Sequence, residues 1–246
     1  MKYYTKEWYE LSQARSIHYD LEEEKAAENF SEAYFEKLYE EKFNEWLENE
    51  EKFAMHQKEC ESQISIINNR EMAVKVFDNI LEHNKQHFQK ILPKGILEKI
   101  ADIRVFSLGK ASSEVINTVT EFCEDNKRKT DKISQEYKEY YKEEASLFDN
   151  NIVKNICFHD CTVIDVKEDE ELLKITFDNS GGLTDIIEMQ LENYKILKQD
   201  APLHNCYWIY EEIYKADNKY ELHVLLQDRS AKLIDFIVSA EKFYFK

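Results

Sequence analysis

Large apolar residues recur at helical spacing through the first part of the chain and at every second position later on. Phe35, Tyr39, Phe43, Trp46 and Phe53 follow one another at steps of three, four or seven, which lines five aromatic rings along one stripe of a long helix. The positions between them are mainly Glu and Lys, often four apart, as on a solvated helical face. Residues 6–13 read as a short helix anchored by Trp8 and Leu11, and Asp20 with Glu23 resembles an N-terminal capping arrangement for the long helix. A second long helix starts near Arg70, with Met72, Val76, Ile80 and Leu81 facing a core, and Pro93-Lys94-Gly95 ends it. Residues 96–103 predict a short helix. Ser112 or Ser113 then caps another, with Ile116, Val119 and Cys123 inward, and Ile133, Tyr137, Tyr140 and Tyr141 continue an apolar pattern. Residues 125–131 fit either a loop or an exposed turn of one long helix. No Gly or Pro interrupts the first 92 residues, which fits this helical reading.

From residue 155 the period changes to two. Residues 155–166 predict a strand with Ile156, Phe158, Ile164 and Val166 on one face. Leu173, Ile175 and Phe177 alternate toward Asp178-Asn179-Ser180-Gly181-Gly182, the clearest turn in the chain. Ile187, Met189 and Leu191 alternate again, and residues 194–197 form a short strand. Residues 207–214 and 220–226 read as a hairpin, although 207–214 also fits a helix. Residues 233–238 and 243–245 complete seven or eight strands. The fold class is therefore α+β: a mostly helical N-terminal half, then an antiparallel sheet, curled or sandwich-like. The expected domains are 1–150 and 151–246. Without a repeat, a low-complexity stretch or a Pro/Ser-rich linker, the two halves are expected to pack directly on each other.

Charge narrows the partners. Asp and Glu number 50 against 33 Lys and Arg, giving a formal net charge of −17. Both halves share the surplus, and no basic tract exists to neutralise phosphates, so nucleic acid is not an expected partner. An acidic surface suits solubility, or steering toward a basic protein. Five cysteines without a disulfide-framework spacing, a polar helix where an apolar leader would stand, and no long apolar run point to a reducing cytoplasm with no membrane contact. The long aromatic stripe also leaves a homo-oligomer open.

Candidate chemistry is sparse. Cys157, His159 and Cys161 alternate, so on a strand they could converge on a soft metal, with His204, Cys206 or His223 as a fourth ligand. The commoner outcome is two buried cysteines and a hydrogen-bonded histidine, and no metal or cofactor is expected. His83 and His87, like His56 and Cys60, stand one helical turn apart, but Asn84 occupies the place of the zinc-protease glutamate. No histidine follows Glu at the three-residue spacing of di-iron bundles. Leu108-Gly109-Lys110-Ala111-Ser112 fails as a phosphate loop, because Arg104 and Ala111 stand where Gly and Ser or Thr are required.

A patch in residues 207–214 is more suggestive. On a strand, Trp208, Tyr210, Glu212 and Tyr214 share one face, while Glu211 sits on the other beside Tyr207, Ile209 and Ile213. A carboxylate among apolar neighbours needs a partner or a raised pKa, and His223 on the next strand is a candidate partner. Either an acid/base pair or, more commonly, a structural hydrogen bond follows. The aromatic face is alternatively a recognition surface, since Trp and Tyr are typical interface anchors.

Met1-Lys2-Tyr3-Tyr4-Thr5-Lys6-Glu7-Trp8-Tyr9, Phe158-His159-Asp160, Asp178-Asn179-Ser180-Gly181-Gly182, Trp208-Ile209-Tyr210-Glu211-Glu212-Ile213-Tyr214 and Glu221-Leu222-His223 together resemble a bacterial family, the domain of unknown function numbered 4085. The resemblance covers essentially the whole chain. It implies a bacterial, cytoplasmic protein and transfers no catalytic residue. It marks His159, Asp160, Gly181, Gly182, Trp208, Glu211, Glu212 and His223 for inspection. The leading expectation is a non-enzymatic protein-binding module with an acidic surface, similar in kind to immunity proteins that neutralise toxins. The alternative is a metal-assisted hydrolase or other enzyme using His, Cys and Glu of the sheet half.

Overall fold

The aromatic stripe folds as the helix Glu32–His56, which starts where Ser31 Oγ accepts the Tyr34 N–H at 3.3 Å. In the computed structural model, which describes residues 1–56 and 69–246, this helix packs on Arg70–Ile91. Phe43 and Tyr39 meet Phe77 with ring centroids 5.5 and 5.2 Å apart. The inward face of Arg70–Ile91 carries Ala73 and Phe77, while Met72 and Ile80 are exposed, correcting the expected face. Ala73 is fully buried, and its small side chain allows a close approach there. Cys60 lies outside the described residues, so the His56–Cys60 pairing does too.

Asp20 does not start the long helix. A 3-10 turn, Ile17–Asp20, leads into the two-residue strand β1 (Glu22–Glu23), which pairs in parallel with β2 (Lys110–Ala111). Gly109 precedes β2 at φ +82°, and a Cβ there would stand 2.9 Å from the Asp20 carbonyl oxygen, so both dihedral and contact require glycine. The helix expected over 96–103 is instead two short ones, Lys94–Leu97 and Ile103–Ser107. Asp102 divides them, because its carboxylate accepts the Arg104 N–H and caps the second. Ser113–Glu144 is one continuous helix, with Val115, Val119 and Cys123 buried against Phe106.

By internal contacts the chain forms two compact units, Gln13–Lys127 and a second made of Met1–Ser12 with Arg128–Lys246. The second unit holds the large sheet and both chain ends. After the short helix Asn150–Asn155 come β3 (Thr162–Glu168), β4 (Leu172–Asp178), β5 (Glu188–Glu192), β6 (Lys195–Gln199), β7 (Tyr207–Ala216), β8 (Lys219–Gln227), β9 (Leu233–Ala240) and β10 (Lys242–Phe245). They form one open antiparallel sheet of eight strands in the order β10-β5-β4-β3-β7-β8-β9-β6. The alternation read from the sequence holds best in β4, where Leu173, Ile175 and Phe177 are buried. It fails at residues 155–161, which end a helix and make a turn before β3 begins at Thr162. In β3 a bulge between Val163 and Asp165 leaves Ile164 exposed instead of inward. Trp208, Phe158, Phe177 and Phe236 anchor the core over this sheet.

Candidate functional site

Residues 207–214 are strand, and a bulge decides which side chains share a face. Trp208 pairs with Leu226 and Tyr210 with Leu225, so Ile209 is the extra residue. The shift places Trp208, Glu211 and Ile213 on the face of Leu226, Val224 and Leu222, with Tyr210, Glu212 and Tyr214 on the other. Trp208 therefore leaves the face it was expected to share with Tyr210. It is fully buried, so it is no surface anchor; its indole N–H instead donates to Glu211 Oε2 at 2.6 Å.

β3 and β7 share a single register pair, Thr162 with Tyr207. Beyond it other groups meet the backbone edge of β7. The His159–Asp160 turn docks first, with Asp160 N–H donating to the Trp208 carbonyl at 2.9 Å. His159 Nδ1 contacts the Ile209 carbonyl oxygen. A carbonyl only accepts, so Nδ1 carries the hydrogen in neutral His159 and Nε2 holds the lone pair. Farther along, Ile213 N–H donates to the Tyr137 hydroxyl oxygen at 3.2 Å.

The glycine turn braces this arrangement. A Cβ on Gly182 would stand 2.5 Å from Cys161 Sγ, and one on Gly181 would stand 2.7 Å from the Asp160 carbonyl oxygen. Only hydrogen fits at either place. Asp160 itself takes φ +64°, a conformation that Asp and Asn adopt more readily than most residues.

These contacts border a pocket of 380 Å³ lined by Tyr4, Tyr137, Tyr141, Tyr210, His159, Glu211 and three isoleucines, Ile156, Ile209 and Ile213. The rings form a continuous belt: Tyr141–Tyr137 6.1 Å, Tyr137–Tyr4 5.1 Å, Tyr4–Tyr210 5.1 Å and Tyr210–His159 5.1 Å between centroids. Burial pushes the Glu211 carboxyl up to about 7, against the lowering effects of the Trp208 indole, His159 and the Phe158 amide. Burial likewise raises Tyr4 to about 12 and lifts Tyr137 and Tyr141, so these rings stay protonated at neutral pH.

Glu212 turns away from Glu211 and is fully buried. Its carboxylate accepts the backbone N–H groups of Lys2 at 2.8 Å, Tyr3 at 2.9 Å and Tyr4 at 2.5 Å, and also the Tyr214 hydroxyl. That network holds the N-terminal strap and so sets Tyr4 in the pocket wall. His223 lies opposite Glu212 in the ladder, not Glu211, because the two-residue turn between Ala216 and Lys219 sets the register on this side of the bulge. Its Nε2 is 3.2 Å from Glu221, its ring packs on Tyr214 at 4.8 Å, and burial lowers its pKa. The Glu211–His223 pair does not form; the indole of Trp208 takes that place.

Cys157, His159 and Cys161 do not converge, because they lie on a helix end and a turn, where strand alternation does not apply. Cys157 is exposed, Cys161 is buried beneath Gly182, and burial drives the Cys161 thiol to about 11. Among the described residues no three His, Cys, Asp or Glu side chains gather as a metal ion would require. His204, His83 and His87 are exposed, and Cys206 is buried and bonded to backbone. The sequence reading missed Tyr4, Tyr137 and Tyr141 as pocket walls. Their only signal was aromatic enrichment in the N-terminal motif and along the 133–141 stripe.

The fold and site define an α+β protein whose open antiparallel sheet carries a tyrosine-walled pocket over a half-buried glutamate. Residues 34–234 match the family described as Protein of unknown function (DUF4085), and the chain belongs to it. No curated protein and no solved structure matches the chain. Among the described residues no helix is long and apolar enough to cross a membrane.

Proposed function

We propose that this chain is a non-enzymatic, cytoplasmic protein-binding module that receives a basic partner, in the manner of immunity proteins that neutralise toxins. The observation that carries the reading is Glu211. It is a carboxyl set in an aromatic pocket, and among the described residues no Lys or Arg pairs with it. The chain as a whole carries net charge −17, which favours encounter with a positive surface. The pocket presents tyrosines held protonated and no activated thiol, a composition suited to recognition. The test is the association rate with a basic protein that co-purifies from the native host. Steered binding slows by about tenfold or more as salt rises; a rate indifferent to salt would count against the reading.

One observation favours a second reading. A carboxyl that titrates near 7 beside a histidine, in a pocket, suits general acid–base catalysis. In that reading Glu211 moves the proton and His159 assists, as a hydrolase or another enzyme would use them. The metal-assisted form has less support, since the cysteines and histidines stand apart. Metal content of freshly purified protein tests that form directly, and close to one equivalent would revive it.

A further inference from the structure

We infer that the Glu211 pocket is a site for an organic cation, an ammonium or guanidinium head on an alkyl arm, with Glu211 as counter-ion, tyrosine rings around the head and isoleucines along the arm. The inference rests on the binding-module reading and names what the pocket would take from a basic partner.

Four features carry it. First, the carboxyl has N–H donors from Trp208 and Phe158. A carboxylate offers about four lone-pair sites, so it retains capacity for donors from a ligand. Second, among the described residues no Lys or Arg lines the pocket. Its histidine, His159, is engaged by the Ile209 carbonyl at Nδ1 and by Asp160 3.6 Å from Nε2, so an anionic ligand would meet Glu211 with no uncommitted cation beside it. Third, four tyrosines in a connected belt supply the π systems that attract a partly desolvated cation. Fourth, 380 Å³ lies near the lower end of ligand pockets, roughly 300–1,000 Å³, which suits one side chain or a small amine better than a large cofactor. Ile156, Ile209 and Ile213 add apolar wall for the methylene arm.

Binding should be linked to a proton. The titratable groups facing Glu211 are His159 from the preceding turn, Tyr210 on its own strand, and Tyr4, Tyr137 and Tyr141, of which the last three are held protonated by burial. The cation selects ionised Glu211, whose carboxyl is pushed up to about 7 by burial. Affinity therefore holds steady above that pH and falls about tenfold per unit below it.

The experiment uses the full chain and free small molecules, so no partner protein is needed. n-Butylguanidinium and n-butylammonium are titrated by amide and aromatic NMR shifts, with neutral n-butylurea as the isosteric control. The expected result is millimolar binding of both cations, with shifts at Tyr4, Tyr137, Tyr141 and Glu211. n-Butylurea should bind at least about tenfold more weakly, a difference of about 1.4 kcal/mol. Repeating the titration near pH 6 should weaken the cations about tenfold relative to pH 8 and leave the urea unchanged. Glu211→Gln should bring cation and urea affinities together. n-Butylurea binding as tightly as n-butylguanidinium, or no pocket shift at saturating cation, overturns the inference. If Glu211→Gln disturbs the fold, the wild-type comparison of cation and urea decides alone. Cation binding without any basic protein partner would retain the pocket chemistry and remove the protein-binding reading; a basic partner bound while free cations ignore the pocket would do the reverse.

Discussion

Glu211 and Glu212 are neighbours with opposite situations, and each makes a separate prediction. Glu211 has a folded-state pKa raised to about 7 by burial, above its ordinary value of 4.5. Below about pH 4.5 the carboxyl is protonated both folded and unfolded, and it costs nothing. Between the two values the unfolded chain ionises first, so stability is lost as pH rises, reaching about 3 kcal/mol above neutrality. Glu211→Gln removes that titration. Urea unfolding near pH 8 should therefore find the variant more stable than wild type by up to about 3 kcal/mol, with the gap closing near pH 4–5. An equal gap at both pH values would mean that Glu211 is ionised at ordinary carboxylate pH. Glu212 acts through hydrogen bonds instead, as the acceptor for three consecutive N–H groups. Glu212→Ala leaves those donors without their acceptor, and each orphaned group costs about 1–3 kcal/mol when water cannot replace it. Destabilisation of about 3 kcal/mol or more is expected, with faster hydrogen exchange at Lys2, Tyr3 and Tyr4. Unchanged exchange there would show that the strap is held by other contacts.

At the scale of elements, the site depends on two places where regular pairing stops. The bulge at Ile209 turns Trp208 toward Glu211, and the glycine turn lets the Asn179–Gly182 backbone press on the His159–Cys161 turn. Gly182→Ala puts a methyl group 2.5 Å from Cys161 Sγ and 3.1 Å from the His159 carbonyl oxygen. It should destabilise by about 1–3 kcal/mol in chemical denaturation and displace the His159 ring signals. Gly95→Ala, with nothing within 4 Å of the new Cβ and a helical position, should be neutral or stabilising by up to about 1 kcal/mol. Equal effects from the two changes would contradict the close packing of the turn. These interruptions also mark where the sequence stopped being legible. The helix 6–13 and the strand through Leu173, Ile175 and Phe177 are written in local periodicity, and the structure repeats them. Glu211 could be read as a carboxyl among apolar residues, because Ile213 lies two positions away on its strand. The face of Trp208 could not, since a bulge adds one residue and no local pattern announces it. The Cys157-His159-Cys161 alternation misled for a related reason: spacing of two has strand meaning only inside a strand.

At the scale of the molecule, the pocket walls come from regions far apart in the chain. Tyr4 belongs to the N-terminal strap and Tyr137 and Tyr141 to the end of Ser113–Glu144, while Glu211 sits in β7. Each of these segments is locally ordinary, so only the tertiary fold of the unit made of Met1–Ser12 and Arg128–Lys246 assembles the belt. Long-range charge acts at the same scale. Ion pairs such as Lys75–Glu71 and Lys94–Glu98 are exposed on both sides, and such pairs contribute little. The net charge of −17 is a repulsion felt by the entire fold, and compaction makes it worse. Added salt screens both, with a Debye length that shrinks from about 14 Å at 0.05 M to about 4 Å at 0.5 M. Because the pairs are weak and the surplus is large, the repulsive part should dominate. The melting temperature should therefore rise by a few degrees across that range, corresponding to about 1 kcal/mol for a chain of this size. Sodium chloride serves for the measurement, with the melting followed at constant pH near 8 so that Glu211 stays ionised. A fall in melting temperature would mean that the surface pairs outweigh the net charge. The long-range field would survive that outcome, because 33 cations cannot neutralise 50 carboxylates however they pair, and the pull on a basic partner would then rest on charge that costs the fold little.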